Sequence, residues 1–347
     1  TNDETPALDG SVDDNNATIQ VSVGGQSVAA TNNADGTWSL ADNTLAALAE
    51  GTFDVSVTAT DVAGNVGSDA TGDELVIDLT SPVVTATSLT TNDDTPALGG
   101  SIDDNNATIS VTVGGQSVAA TNNEDGTWSL ADDTLVALAE GTFDVSVTAT
   151  DVAANIGSDA TSGEWVIDTT PPAAPSAPDL HDDSDSNITD DDITSDDTPT
   201  ITGTAGVDTT IELFSGTNSL GTDTGGTGTW SITSSALADG VHVLTATATD
   251  AAGNTSDAST DLTVTIDTTP PVVTVTSLTT NDETPALGGS VDDNNATISV
   301  SVDGQTVAAI NNADGTWSLA DDTLAALAEG TFDVSVTASD VAGNSGR

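Results

Sequence analysis

Apolar and polar residues alternate through most of this chain. Phe143, Val145, Val147 and Ala149 are interleaved with Asp144, Ser146, Thr148 and Thr150. Ile109, Val111 and Val113 follow the same rhythm, GGQ then predicts a tight turn, and Val118 and Ala120 return. A period of two buries one face of a strand and wets the other. The runs are short, with Gly, Asn and Asp between them, which is the pattern of an antiparallel sandwich. TLAALAEG at 44–51 breaks the alternation. It is apolar and about two turns long, so one helical turn crossing between sheets is expected there.

The strand pattern sits inside a longer period. TNDETPALDGSVDDNNATI at 1–19 returns almost unchanged at 91–109 and 280–298. GTWSLAD recurs at 36, 126 and 315, and LAEGTFDVSVTA at 48, 138 and 327. A divergent copy lies before the last, with SDDTPTITGTAG (195–206), GTWSIT (228–233) and LADGVHVLTATATDAAGN (237–254). VIDLTSP (76–82), VIDTTPP (166–172) and TIDTTPP (265–271) join the copies. Internal repeats of this length predict tandem domains. The expected architecture is all-β, with four immunoglobulin-like sandwiches at 1–80, 81–170, 171–269 and 270–347. The first is expected to lack its first strand and the last its final strand, as in a piece of a longer chain. Trp38, Trp128, Trp230 and Trp317 are the expected core anchors. Trp165 stands where the first copy has Leu75, so it too is expected to be packed.

Charge changes the picture. The net charge is −55, with one Lys or Arg against 56 acids, of which nine are Glu. Asp is the carboxylate of turns and of oxygen-lined cation sites. A chain without clustered Lys and Arg does not bind nucleic acid directly. There is no Cys for a disulfide, and no apolar run is long enough to insert into a membrane.

Counting strand reversals in the second copy assigns its acids to two poles. The near pole carries Asp103, Asp104 and Asp151, the far pole Asp93, Asp94 and Asp168. Head-to-tail stacking then sets Asp3, Glu4 and Asp78 of the first copy against Asp103, Asp104 and Asp151. The corresponding acids further on are Asp208 and Asp250, then Asp196, Asp197 and Asp267 with Asp292, Asp293 and Asp340. Two carboxylates about 4 Å apart repel by roughly 1–4 kcal/mol at effective dielectrics of 80 to 20. Several around one linker call for cations, and Ca2+ suits a flexible oxygen shell. For any single Asp there is a second reading, as a turn cap. In T-[AS]-[TS]-D-x-A-[GA]-N, Gly64, Gly253 and Gly343 supply a positive φ. The second copy has Ala154 there, so Asn155 is expected to take the strained position.

The third copy holds an acidic insert, PDLHDDSDSNITDDDITSDDTP at 178–199. Asp183, Asp185 and Asn187 have the one-three-five spacing of calcium loops. Ile188 replaces the glycine expected next, so this is no EF-hand. It is expected either to order around one calcium or to serve as a solvated spacer.

These joints, loops and turns resemble the bacterial Ig-like repeats of giant surface adhesins, the RTX adhesins and biofilm-associated proteins of Gram-negative bacteria. The resemblance extends to the calcium-stiffened extender region of a marine ice-binding adhesin and covers the whole chain. It implies a non-catalytic extender, secreted by a type I system to the cell surface. In such an extender calcium rigidifies the joints, neighbouring repeats are the partners, and the array projects a distal adhesive domain. Strands of about nine residues at about 3.3 Å each, with loops, make four such units a monomeric rod of roughly 150 Å. An enzyme is disfavoured. The only histidines are His181 and His242, and no nucleophilic Cys or phosphate loop is present. An adhesion module, binding another cell or a carbohydrate through the repeats themselves, is the alternative.

Overall fold

Most of the alternating runs become strand. A computed structural model describes residues 1–224 and 226–347, and among them there is no helix. The chain forms two compact units, Thr1–Thr169 and Thr170–Arg347, each taken separately below. Each unit holds two hydrophobic cores.

In the second repeat a seven-stranded sheet runs, in spatial order, Ile156–Ala160, Val145–Thr150, Thr108–Val113, Gln116–Asn122, Thr127–Leu130, Leu98–Ile102 and Val84–Ala86. Gln116–Asn122 is the corner. Its residues 116–120 pair with Thr108–Val113, while Thr121 and Asn122 pair with Ser129 and Trp128. Gly114 and Gly115, both at positive φ, make the tight turn before it. Leu89–Thr91, Trp165–Ile167 and Gly141–Phe143 form a small second sheet. Ile109, Val111, Val113, Val145, Val147 and Ala149 are all buried between the layers.

The first strand does not stay in one sheet. Val84–Ala86 pairs antiparallel with Leu98–Ile102, and Leu89–Thr91 then pairs parallel with Trp165–Ile167. The sandwich is therefore not wholly antiparallel. The third repeat has the same parallel edge, Ile193–Thr194 beside Leu262–Ile266.

The tryptophans anchor the cores as expected, with Trp38, Trp128, Trp165, Trp230 and Trp317 all buried. The Trp128 and Trp317 indole N–H groups donate to the Thr85 and Thr274 carbonyls at 2.8 and 2.7 Å.

The expected helical turn at TLAALAEG is absent, and residues 44–50 are irregular. Competing partners for the backbone explain this. Gln26 accepts from the Ala46 N–H at 2.7 Å and donates to the Ala46 carbonyl at 2.9 Å, while Leu48 N–H donates to the Glu4 carbonyl at 2.8 Å. With these groups bonded outside the segment, Leu45 and Leu48 reach the core without a helix.

Candidate metal centre at the repeat joints

In the first unit the chain leaves repeat one at Leu75–Ile77 and turns at Asp78. Asp78 N–H donates to the Thr1 carbonyl at 3.0 Å, and its Oδ1 accepts from Thr80 N–H at 3.1 Å. The linker then lies flat on repeat two. A Cβ on Gly157 would stand 1.7 Å from the Pro82 carbonyl oxygen, so only glycine admits this contact. Val83 N–H donates to Asp103 Oδ1 at 2.7 Å, and Asp103 N–H returns to the Val83 carbonyl at 3.2 Å. Asp151 caps its turn through Asn155, with Oδ1 accepting the backbone N–H at 2.8 Å and Oδ2 the side-chain amide at 2.7 Å. The Asn155 amide also donates to the Asp78 carbonyl at 2.8 Å, and Asn2 N–H to the Ala153 carbonyl at 3.2 Å. Asp78 thus lies in the linker, Asp103 holds its far end, and Asp151 is joined to it through Asn155.

The second unit repeats this joint. Val272 N–H donates to Asp292 Oδ1 at 2.7 Å, and Gly346 lies against the Pro271 carbonyl. Asn344 donates to Asp340 Oδ1 and Oδ2 at 2.8 and 2.9 Å, and to the Asp267 carbonyl at 2.6 Å. Asp340 is buried.

Asn155, expected to take the strained position in the second turn, does not. Ala154 itself takes φ 73°. Asn155 is instead buried, because its amide must reach two acceptors.

Most of the other singled-out acids are turn caps. Oδ1 of Asp3, Asp93 and Asp196 accepts the N–H of Thr5, Thr95 and Thr198 at 2.9 Å each. Asp104 and Asp293 accept from Asn106 and Asn295 at 2.8 and 2.9 Å, and Asp267 from Thr269 at 3.1 Å. Asp250 caps its turn through Asn254. Asp94 and Asp197 contribute carbonyls, to Leu138 and Leu237 N–H at 2.8 Å each. Asp168 N–H donates to the Thr91 carbonyl at 3.0 Å, and Asp208 sits in a turn at φ 60°. A carboxylate has about four lone-pair sites. A single cap therefore leaves room for a cation, and capping and ligation are compatible.

Sequence reasoning missed Asp42, Asp132 and Asp321. Each carboxyl lies within hydrogen-bonding reach of Asp3, Asp93 or Asp282 in its own repeat. Burial and the charge of Asp93 push the Asp132 acid up, and contact with Asp282 does the same to Asp321. Thr5 and Thr284 N–H groups hold Asp3 and Asp282 down. The signal was in the repeats, since LAD ends in the same Asp each time. In the turns, donors from Asn65 hold Asp61 low. For Asp151 and Asp250, partial burial raises the acid and the donors of Asn155 and Asn254 outweigh it.

The one-three-five arrangement in the insert does not form. Asp183 is exposed, and Asn187, at φ 67°, turns away to donate to the Val341 carbonyl at 2.9 Å. Asp185 alone points inward. It is 6% exposed, its Oδ2 accepts from Asp190 N–H at 2.7 Å, and its Oδ1 has no partner. A buried acceptor left unpaired costs about 1–3 kcal/mol, more if charged. The donor set fits a hard, oxygen-seeking cation, with carboxylates, carbonyls and no sulfur. Among the described residues, no group of three or more His, Cys, Asp or Glu side chains is already arranged to hold a metal ion.

His242 is a strand residue, with Nε2 2.8 Å from the Ala238 carbonyl. No described helix is long and apolar enough to cross a membrane.

The family model for the bacterial Ig-like domain matches residues 1–79, 83–169, 171–268 and 274–347. The chain belongs to this family, as four tandem repeats. No curated protein matches it. Among solved structures, it is 26% identical to a tetra-tandem repeat in the extending region of a large adhesion protein, over 99% of this chain and 94% of that one, with a TM-score of 0.26. It is 25% identical to a Ca2+-stabilized adhesin that helps an Antarctic bacterium reach out and bind ice, over 99% and 92%, with a TM-score of 0.33. A 1.5-MDa bacterial ice-binding adhesin, studied for its retention at the host cell surface, is 25% identical over 76% and 90%, with a TM-score of 0.34.

Proposed function

We propose that the chain is a non-catalytic extender of a bacterial surface adhesin, stiffened by calcium at its repeat joints and holding a distal adhesive domain away from the cell. One observation carries the reading, a joint built twice from equivalent residues. Asn155 and Asn344 each tie a capped aspartate to the carbonyl of the preceding linker, and Asp103 and Asp292 each hold the linker's far end. Near-identical repeats serve length better than a single ligand site. The domain limits 1–80, 81–170, 171–269 and 270–347 follow this reading, as does an extracellular location reached by type I secretion.

At the joints, Asp78, Asp103 and Asp151, and Asp267, Asp292 and Asp340, are the residues that would hold the ion. Calcium there would neutralise their mutual repulsion and lock the angle between successive sandwiches. The chain's own part is to fix the linker at both ends through N–H and amide donors.

Hydrogen exchange tests this with calcium and then with chelator. Protection of linkers 78–83 and 267–272 that disappears with chelator, while the Trp128 and Trp317 strands stay protected, supports the reading. Linker exchange indifferent to calcium contradicts it.

A further inference from the structure

We propose that the acidic insert of the third repeat is a separate divalent-cation site centred on Asp185, and that the bound cation holds residues 181–195 as a clasp on the turn of the fourth repeat. This rests on the extender reading and adds to it a site and a contact that the first joint lacks.

The cation side starts from Asp185. Its Oδ1 is buried and has no hydrogen-bond partner, although the groups around it are bonded. Ser184 Oγ donates to Asp196 Oδ2 at 3.1 Å and accepts from Thr200 N–H at 3.0 Å, and Thr194 Oγ1 donates to the Ser184 carbonyl. Burial and the charges of Asp185, Asp179, Asp191 and Asp190 push the Asp192 acid up. The chain's one Lys or Arg is Arg347, which donates to Ser335 at 2.8 Å, and the insert's own His181 has Nδ1 3.9 Å from Asp183 Oδ2. A buried carboxylate oxygen left without a donor in an acidic loop is an incomplete oxygen shell, of the kind Ca2+ fills with six to eight ligands. The cage is still open, and it closes by rotation of the exposed or half-buried side chains of Asp190, Asp191 and Asp192.

The clasp side starts next to it in sequence. Ser186 Oγ accepts the Ser195 N–H at 2.9 Å and donates to the Ala342 carbonyl. At the first joint the corresponding backbone N–H, of Asn2, reaches the Ala153 carbonyl directly at 3.2 Å. The insert therefore places a hydroxyl relay in the same bond. Asn187 adds the contact to the Val341 carbonyl, and its Cβ lies 3.1 Å from where a Cβ on Gly343 would be. Burial records the coverage. Val62 and Val152 at the tips of the equivalent turns are 89% and 88% exposed, and Val341 only 37%. The orphaned carboxylate and the relay hydroxyl belong to consecutive residues, Asp185 and Ser186, so ordering the first orders the second.

Hydrogen exchange on the full chain tests this with calcium chloride as the probe. Calcium is expected to slow exchange about tenfold or more in peptides covering 181–195 and 338–347. Asp185→Asn is expected to abolish both effects, with Trp230 fluorescence unchanged to show that the third core is intact. Ser186→Ala is expected to keep protection at 181–185 and lose it at 341–344. Calcium protection that survives Asp185→Asn overturns the site, and protection of 181–195 without 338–347 in the unsubstituted chain overturns the clasp. The first joint separates the two claims. If linker 78–83 ignores calcium while the insert responds, calcium stiffening of the first joint fails and this site stands. If the linker responds and the insert does not, the reverse holds.

Discussion

The side-chain amide of Asn155 donates to the Asp78 carbonyl at 2.8 Å and to Asp151 Oδ2 at 2.7 Å, so one buried residue ties a turn of the second repeat to the linker leaving the first. Asn65 makes the same turn bond to Asp61, at 2.7 Å, in the first repeat. Asn155→Ala should destabilise the second repeat by about 1–3 kcal/mol, because two acceptors lose their donor. Asn65→Ala should cost less. Urea unfolding of the two variants checks the difference, and equal losses would mean that the bond to Asp78 contributes nothing.

Gly157→Ala should force the linker off the second sandwich. The new Cβ has no room beside the Pro82 carbonyl, and crowding of this kind costs about 1–3 kcal/mol. Gly67 holds the same place in the first repeat with nothing within 4 Å, so Gly67→Ala should be close to neutral. Thermal unfolding of both substitutions compares them directly.

Trp128→Phe and Trp230→Phe remove similar volume from two cores and differ in hydrogen bonding. Trp128 donates to the Thr85 carbonyl at 2.8 Å, whereas the Trp230 indole N–H is buried without a partner. The Trp128 substitution should cost about 0.5–1.5 kcal/mol more. Denaturant midpoints for the two repeats measure the gap.

Acidity should act in both directions on the calcium-free chain. Asp61, Asp151 and Asp250 titrate below the usual carboxylate range. Their contribution is present above their unfolded pKa and lost as pH falls through the folded one. Asp132 and Asp321 titrate above that range, so their contribution is present at low pH and lost as pH rises through the folded value. With unfolded Asp near 3.9, the lowered acids favour folding above about that pH and the raised ones below it, so stability in chelator should decline on both sides of about pH 4. A melting temperature that rises steadily from pH 5 to pH 8 in chelator would contradict this.

Much of the architecture was legible in the sequence, because period-two alternation and repeated motifs act locally. Ile109 to Val113 and Val145 to Ala149 needed no partner to be read as strands. TLAALAEG misled because its outcome depends on Gln26 and Glu4, distant residues that take the backbone bonds a helix would have made. Ala154 misled because the preference of alanine against positive φ is small beside the hydrogen bonds that hold Asn155. In the insert, the one-three-five spacing singled out Asp185 but said nothing of its surroundings. Asp183 and Asn187 are placed by what lies outside the loop, solvent in one case and the fourth repeat in the other. The pairing of Asp93 with Asp132 was hidden because the two are far apart in the chain and only the fold joins them.

The most direct test of calcium stiffening is small-angle scattering of this chain in millimolar calcium and again in excess chelator. The account predicts a sharply bounded maximum dimension with calcium, and a flexible profile from still-folded repeats without it. Superimposable curves would contradict it and leave the joint aspartates as turn caps alone.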